Sequence, residues 1–238
     1  RQVFTAVLYK TAVVNSVIIF NMDLYGHDVS PPCRPVAMLL NVLKLKYGLK
    51  EIDVMEGQQM TPEFIKMNPQ HTIPTLDDNG FYIHESRAIM QYLANQYGQD
   101  TKLYPTDPKA RAKVDQMLYF DMGTLYGSFK DYLFPTMIEG VPLNIEKKLK
   151  LVEAVDFLET YIGDQKFVCG DELTIADIAL LGSMAFIKGC GYDLYGHFKV
   201  AAWLERCIPL IPDYETATQK GVSQFAELVA TLVAEPVF

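Results

Sequence analysis

Apolar and polar positions follow two different rhythms along this chain. From Met22 to about residue 101 short elements alternate. Met22-Asp23-Leu24-Tyr25 has the alternation of a strand. Val36, Leu39, Leu40 and Leu43 then recur at i, i+3, i+4 and i+7, the stripe of a core-facing helix. That helix opens at Pro31-Pro32-Cys33 and is expected to stop at Gly48; Pro35 falls early enough to be tolerated in a first turn. Glu51 to Val54 reads as a second strand and Pro62 to Met67 as a short helix. Pro69 and Pro74 together break the stretch from Asn68 to Leu76. Thr75-Leu76 and Phe81-Tyr82-Ile83 flank Asp77-Asp78-Asn79-Gly80, which predicts a hairpin. Ser86 starts a further helix, with Ile89, Tyr92, Leu93 and Tyr97 on one face and Gly98 as its stop.

Past this point strand signals largely vanish. Helical patterns run from Pro108 to about Ile138, Leu143 to Tyr161, Thr174 to Ile187 and Phe198 to Cys207, and less clearly to the C-terminus. The fold class expected is therefore an α/β thioredoxin-like N-terminal domain, a mixed sheet covered by helices, followed by an all-α C-terminal domain. The boundaries expected are a leader at 1–21, the first domain at 22–101, a polar linker at 102–107 and the helical domain at 108–238. Thr174-Ile175-Ala176-Asp177 has the form of a capping box, with Leu173 and Ile178 placed for a hydrophobic staple. This is a folding device rather than chemistry.

Composition narrows the function. Half of the 238 residues are apolar, enough for sizeable cores. The net charge of −8 and the lack of any long Lys/Arg run argue against a nucleic-acid or anionic-membrane partner. Cys33, Cys169, Cys190 and Cys207 are widely spaced and make no metal-ligand pattern, which reads as reduced thiols in a cytoplasmic protein. Residues 1–21 are apolar but interrupted by Lys10 and Asn15, too broken for a membrane span of about 20 apolar residues. They read as extraneous to the fold, with Met22 as its start; a degenerate targeting segment is the alternative.

The candidate chemistry lies at Ser30-Pro31-Pro32-Cys33-Arg34, between the first strand and first helix. A helix N-terminus presents unpaired amides and partial positive charge, which favour an anion such as a thiolate. A free thiol has a pKa of about 8.5, so a hydroxyl donor beside that dipole would help to ionise it. Ser30 is the candidate donor. From spacing alone an ordinary helix cap is the favoured reading. Position 30 is not Cys, which excludes a dithiol motif; Cys33 remains a candidate monothiol or a buried small apolar residue.

Ser30 to Arg34, Asn68-Pro69-Gln70-His71-Thr72-Ile73-Pro74-Thr75-Leu76 and Glu85-Ser86-Arg87-Ala88-Ile89 form an ordered set with Leu118 to Tyr126 and Leu173 to Asp177. In that order and spacing the sequence resembles the glutathione S-transferases, the arthropod delta class first and the epsilon class second. The resemblance runs from Met22 to beyond Trp203 and weakens after Tyr214.

The resemblance implies an enzyme that holds glutathione as thiolate and adds its sulfur to hydrophobic electrophiles. Ser30 would be catalytic. Ile73 would pair its backbone with the cysteinyl part of glutathione, before a cis Pro74. His71 would help to hold the glycine carboxylate. Glu85 and Ser86 would take the γ-glutamyl end, with Arg87 adding charge; from the residues alone Arg87 reads as a surface salt bridge. Gln59 stands where the class often carries His, so this contact would be uncharged. Tyr126, Phe129, Phe134 and Met122 would wall the electrophile pocket between the domains, although core packing is an equal reading for Met122. The resemblance also implies a homodimer, detoxification, no metal, and glutathione as cosubstrate rather than cofactor. Three other readings stay open: peroxide reduction or HCl elimination at the same site, non-catalytic binding of hydrophobic ligands, and thiol transfer through Cys33.

Overall fold

The structure, a computed structural model, describes residues 22–238; the expected leader at 1–21 lies outside them. A four-stranded sheet, β1 (Met22–Gly26), β2 (Gly48–Glu51), β3 (Thr75–Asp78) and β4 (Phe81–His84), has the order β2-β1-β3-β4. β1 runs parallel to β2 and antiparallel to β3, which pairs antiparallel with β4. Leu24 lies opposite Leu49 on one side and Leu76 on the other. Helices α1 (Cys33–Val42) and α3 (Ser86–Tyr97) pack together, and α2 (Pro62–Met67) is short. Val36, Leu39, Leu40, Ile89 and Leu93 bury the predicted stripes together with Leu24 and Leu76.

Two boundaries differ from expectation. α1 stops at Val42, well before Gly48, because Lys44 takes φ 55°. The Leu45 amide bonds the Leu40 carbonyl at 2.9 Å and the Lys44 amide bonds Asn41 at 3.0 Å, a Schellman ending without glycine. β2 lies three residues before the expected strand. Asp53 ends it by turning its carboxylate onto the amides of Met55 and Glu56 at 2.9 and 3.3 Å. The hairpin forms as its turn residues demand, with Asn79 and Gly80 both at positive φ.

The second half is helical. The pattern expected to run from Pro108 to Ile138 divides into α4 (Pro108–Phe120), a π-turn (Asp121–Leu125) and α5 (Tyr126–Glu139). α6 (Ile145–Ile162), α7 (Ile175–Gly189) and α8 (Phe198–Cys207) follow, and a second π-turn (Glu215–Gln219) leads into α9 (Lys220–Leu232). α7 is buried on every side from Ile175 to Ile187 and forms the centre of the bundle; it also packs on α1. At its start the capping box closes: the Asp177 carboxylate accepts from the Thr174 amide and hydroxyl, both at 2.9 Å.

Burial sets the alkaline limit of this fold. It pushes the thiols of Cys169 and Cys190 up to about 12 from 9.0, and the Tyr92 and Tyr104 phenols up to about 12 from 10.0. Above the ordinary values the unfolded chain loses protons that the folded chain retains. These groups therefore favour the fold fully at neutral pH, and the contribution is lost as pH rises towards the folded values. The melting temperature is expected to fall steadily above about pH 9, and calorimetry across that range checks it; a flat profile to about pH 11 would contradict the assignment.

Candidate active site

A cleft of about 380 Å³ opens where the two halves meet. Pro32, Ile73, Pro74, Glu85, Ser86 and Arg87 line it from the first half; Met122, Tyr126 and Lys130 line it from the second.

The start of α3 is built to receive an anion. Among the described residues, side chains occupy the N-termini of α2, α4, α6, α7 and α8: Thr61, Asp107, Asn144, Asp177 and Glu159. α3 has no such cap. Glu85 precedes it at φ 69°, a conformation uncommon for non-glycine residues. The first-turn amides and the dipole therefore face the cleft. Glu85 is exposed at the rim. Ser86 is buried, and its Oγ accepts a 2.7 Å hydrogen bond from Arg87 Nη1, which leaves the hydroxyl proton free for a ligand.

Arg87 corrects both sequence readings. It is 6% exposed, so it forms no surface salt bridge, and its charge is already committed to Asp121. Nε and Nη2 both donate to Asp121 Oδ2, while Asp121 Oδ1 accepts from Ser183 Oγ at 2.6 Å. This buried pair links α3 to the π-turn and α7. It holds Ser86 in place and lies 5.6 Å from the centre of the Tyr126 ring.

The Ile73–Pro74 bond is cis. Asn68, fully buried, organises this loop by donating to Thr72 O, Thr72 Oγ1 and Thr75 Oγ1 at 2.9, 3.1 and 3.0 Å. Its own Oδ1 accepts from the Gln70 amide at 2.9 Å. His71 is exposed on the same loop at φ 46°.

Ser30 is half-buried in the turn between β1 and α1, two residues before Pro32. Its side chain does not cap α1: the N-cap residue is Pro32, and among the described residues no side chain caps this helix start. Cys33 is fully buried, which drives its thiol pKa up; the neighbouring Ser30 side chain and His27 backbone offset part of this. A thiol in that setting is a poor nucleophile.

The sequence matches two family models, Glutathione S-transferase, N-terminal domain, over residues 24–101, and Glutathione S-transferase, C-terminal domain, over residues 142–210. Glutathione S-transferase D7 of Anopheles gambiae is 45% identical over 184 residues, 77% of this chain and 84% of that protein. The chain belongs to the glutathione S-transferase family. A delta-class glutathione transferase of Nilaparvata lugens superposes with a TM-score of 0.87 at 46% identity, covering 89% of this chain and 100% of that one. An epsilon-class enzyme of the housefly, Musca domestica, gives 0.82 at 34% identity, over 88% and 97%. The delta class is thus the nearer of these two likenesses.

Within this glutathione S-transferase family member, not every expected wall residue reaches the cleft. Phe129 is fully buried and packs on Phe225 at 6.3 Å between ring centres; it belongs to the core. Phe134 also turns to Phe225, at 6.4 Å, and lies outside the cleft lining. Gln59 donates to the Val54 carbonyl at 3.2 Å and likewise lies outside that lining. Met122 and Tyr126 do line the cleft. Lys130 joins them and was missed, although the spacing of four from Met122 to Tyr126 to Lys130 was readable. Asp121 and Ser183 were missed because no local pattern joins them to Arg87. A larger hollow, about 720 Å³, lies between the end of α3, the start of α4 and the loop before α7, and contains none of these residues.

Proposed function

We propose that the chain binds glutathione in this cleft, ionises its thiol at Ser30 and joins the sulfur to hydrophobic electrophiles. The observation that carries this is the uncapped start of α3, with Ser86 oriented by Arg87, in the same cleft as the Ile73–Pro74 backbone and the start of α1. The γ-glutamyl carboxylate fits the α3 amides and the Ser86 hydroxyl, and its ammonium fits Glu85. The free backbone of Ile73 suits the cysteinyl unit, as an added strand would. That placement carries the sulfur towards Ser30, whose hydroxyl and the α1 dipole favour the thiolate. His71 and Gln59 are the polar groups proposed for the glycine end. The thiol proton leaves to solvent; the sulfur lone pair then forms the new C–S bond as the leaving group departs with its electrons. Proximity of the two substrates supplies much of the rate. Tyr126 and Met122 provide an adaptable wall for the electrophile.

Residues 22–101 are proposed as the glutathione domain and 108–238 as the electrophile domain, joined by 102–107. A homodimer suits the exposed aromatics Phe81 and Tyr82 on the edge strand β4. A cytoplasmic detoxifying role suits four free cysteines and, among the described residues, no helix long and apolar enough to cross a membrane.

Incubation with glutathione and a chromogenic aryl halide tests the proposal. Saturable conjugation is expected, and Cys33→Ala is expected to keep kcat/KM within about twofold. Glutathione binding without turnover would contradict the catalytic reading. Loss of activity in Cys33→Ala would favour thiol transfer instead.

A further inference from the structure

Gly221 stands in a helix, where glycine is a poor choice. Its backbone is not left-handed, so conformational freedom does not explain it. Its surroundings do. An added Cβ would overlap the carbonyl oxygen of Asp28 outright, and would lie 2.9 Å from the carbonyl carbon and 3.6 Å from Arg34 Cδ. Asp28 belongs to the turn that carries Ser30, two residues further on. α9 therefore lies directly against the backbone of that turn, which only glycine permits.

The turn is also held by α1. Arg34 Nη1 pairs with Asp28 Oδ1 at 2.9 Å, and Nη2 donates to the His27 carbonyl at 3.4 Å. The C-terminal segment also meets α1 where Asn41 Nδ2 donates to the Pro212 carbonyl at 3.4 Å. α9 cannot readily retreat. Phe225 packs among Phe129, Phe134 and Phe186, and Val222 sits against Gly189. A backbone oxygen cannot swing aside as the end of a side chain can, so added bulk at position 221 moves the turn.

We infer that Gly221 is a positioning residue: through Asp28, the close approach of α9 sets the place of the Ser30 hydroxyl against the glutathione sulfur. This rests on the reading of Ser30 given above. It makes the C-terminal helix, which contributes nothing to the lining of the cleft, part of the thiol-activating apparatus.

The test is the pH profile of kcat/KM for conjugation to the chromogenic aryl halide, in the full chain, for wild type, Gly221→Ala and Ser30→Ala. Misplacing a reacting group by about 1 Å costs up to about a hundredfold. Gly221→Ala is expected to lose about tenfold or more at neutral pH, with its apparent thiol pKa raised towards that of free glutathione. Its KM for glutathione should stay within about threefold, because the α3 end is untouched. A cooperatively folding Gly221→Ala with the wild-type profile overturns the inference while leaving Ser30 intact. A Ser30→Ala profile like wild type overturns the reading on which it rests. Should Gly221→Ala fail to fold, amide exchange of the wild type decides. Saturating glutathione is expected to slow exchange in residues 215–225 as well as in 26–33; protection confined to 26–33 overturns the coupling.

Discussion

Replacing Asp177 by Ala is expected to destabilise the protein by about 3–5 kcal/mol. The side chain is fully buried and its carboxylate gathers four donors. The Val168 amide, the Thr174 amide and the Thr174 hydroxyl each lie at 2.9 Å, and the indole nitrogen of Trp203 at 3.0 Å. Burial drives the carboxyl pKa up, and these donors oppose the shift. One side chain thus ties the start of the central helix α7 to the preceding loop and to α8. Alanine leaves the Val168, Thr174 and Trp203 N–H groups buried without their acceptor, and each costs about 1–3 kcal/mol. Urea unfolding followed by fluorescence of the single tryptophan, Trp203, measures the change. An unchanged midpoint would show that water replaces the carboxylate without cost.

Arg87→Ala is the second large effect, and it separates stability from binding. Removing the guanidinium strands Asp121 as a buried charge with Ser183 as its remaining side-chain partner among the described residues, at a cost of about 3–5 kcal/mol. It also removes the donor that orients Ser86. The KM for glutathione is expected to rise about tenfold, the equivalent of one charge-assisted hydrogen bond. The double variant Arg87→Met with Asp121→Leu replaces the pair by apolar groups. It is expected to recover most of the stability but none of the affinity. Urea melts and glutathione titrations of both variants check this. Affinity that returns together with stability would mean that Arg87 serves the fold alone.

The elements that sequence predicted well are those whose chemistry is local. Asn79-Gly80 specifies its hairpin through backbone conformation, and Thr174 with Asp177 specifies a helix start through bonds three residues apart. The stripe from Val36 to Leu40 places α1 on the sheet for the same reason. Lys44 hid the true end of α1, because a left-handed residue there usually announces itself as glycine. Asp53 hid the end of β2 because its carboxylate acts on the backbone that follows the strand. The π-turn at Asp121 left no mark on the apolar spacing, and Phe129, set on the cleft wall by the resemblance alone, packs instead on Phe225 in the core.

The site divides in the same way. Ser30 and Ser86 stood out as residues at the starts of predicted helices, whereas the Ile73–Pro74 loop entered the proposed site through the resemblance. The pairing of Arg87 with Asp121 joins positions far apart in sequence, and the contact of Gly221 with Asp28 spans nearly the whole described chain. Such contacts exist only after packing.

The most direct test of the central claim is the titration of enzyme-bound glutathione, read by the ultraviolet absorbance of its thiolate, in wild type and Ser30→Ala. In the wild type the midpoint is expected at least about 1.5 units below the free thiol value of about 8.5, and in Ser30→Ala within about half a unit of it. Coincident curves for the two proteins would contradict the assignment, leaving Ser30 a residue of the turn and the thiolate stabilised by other groups.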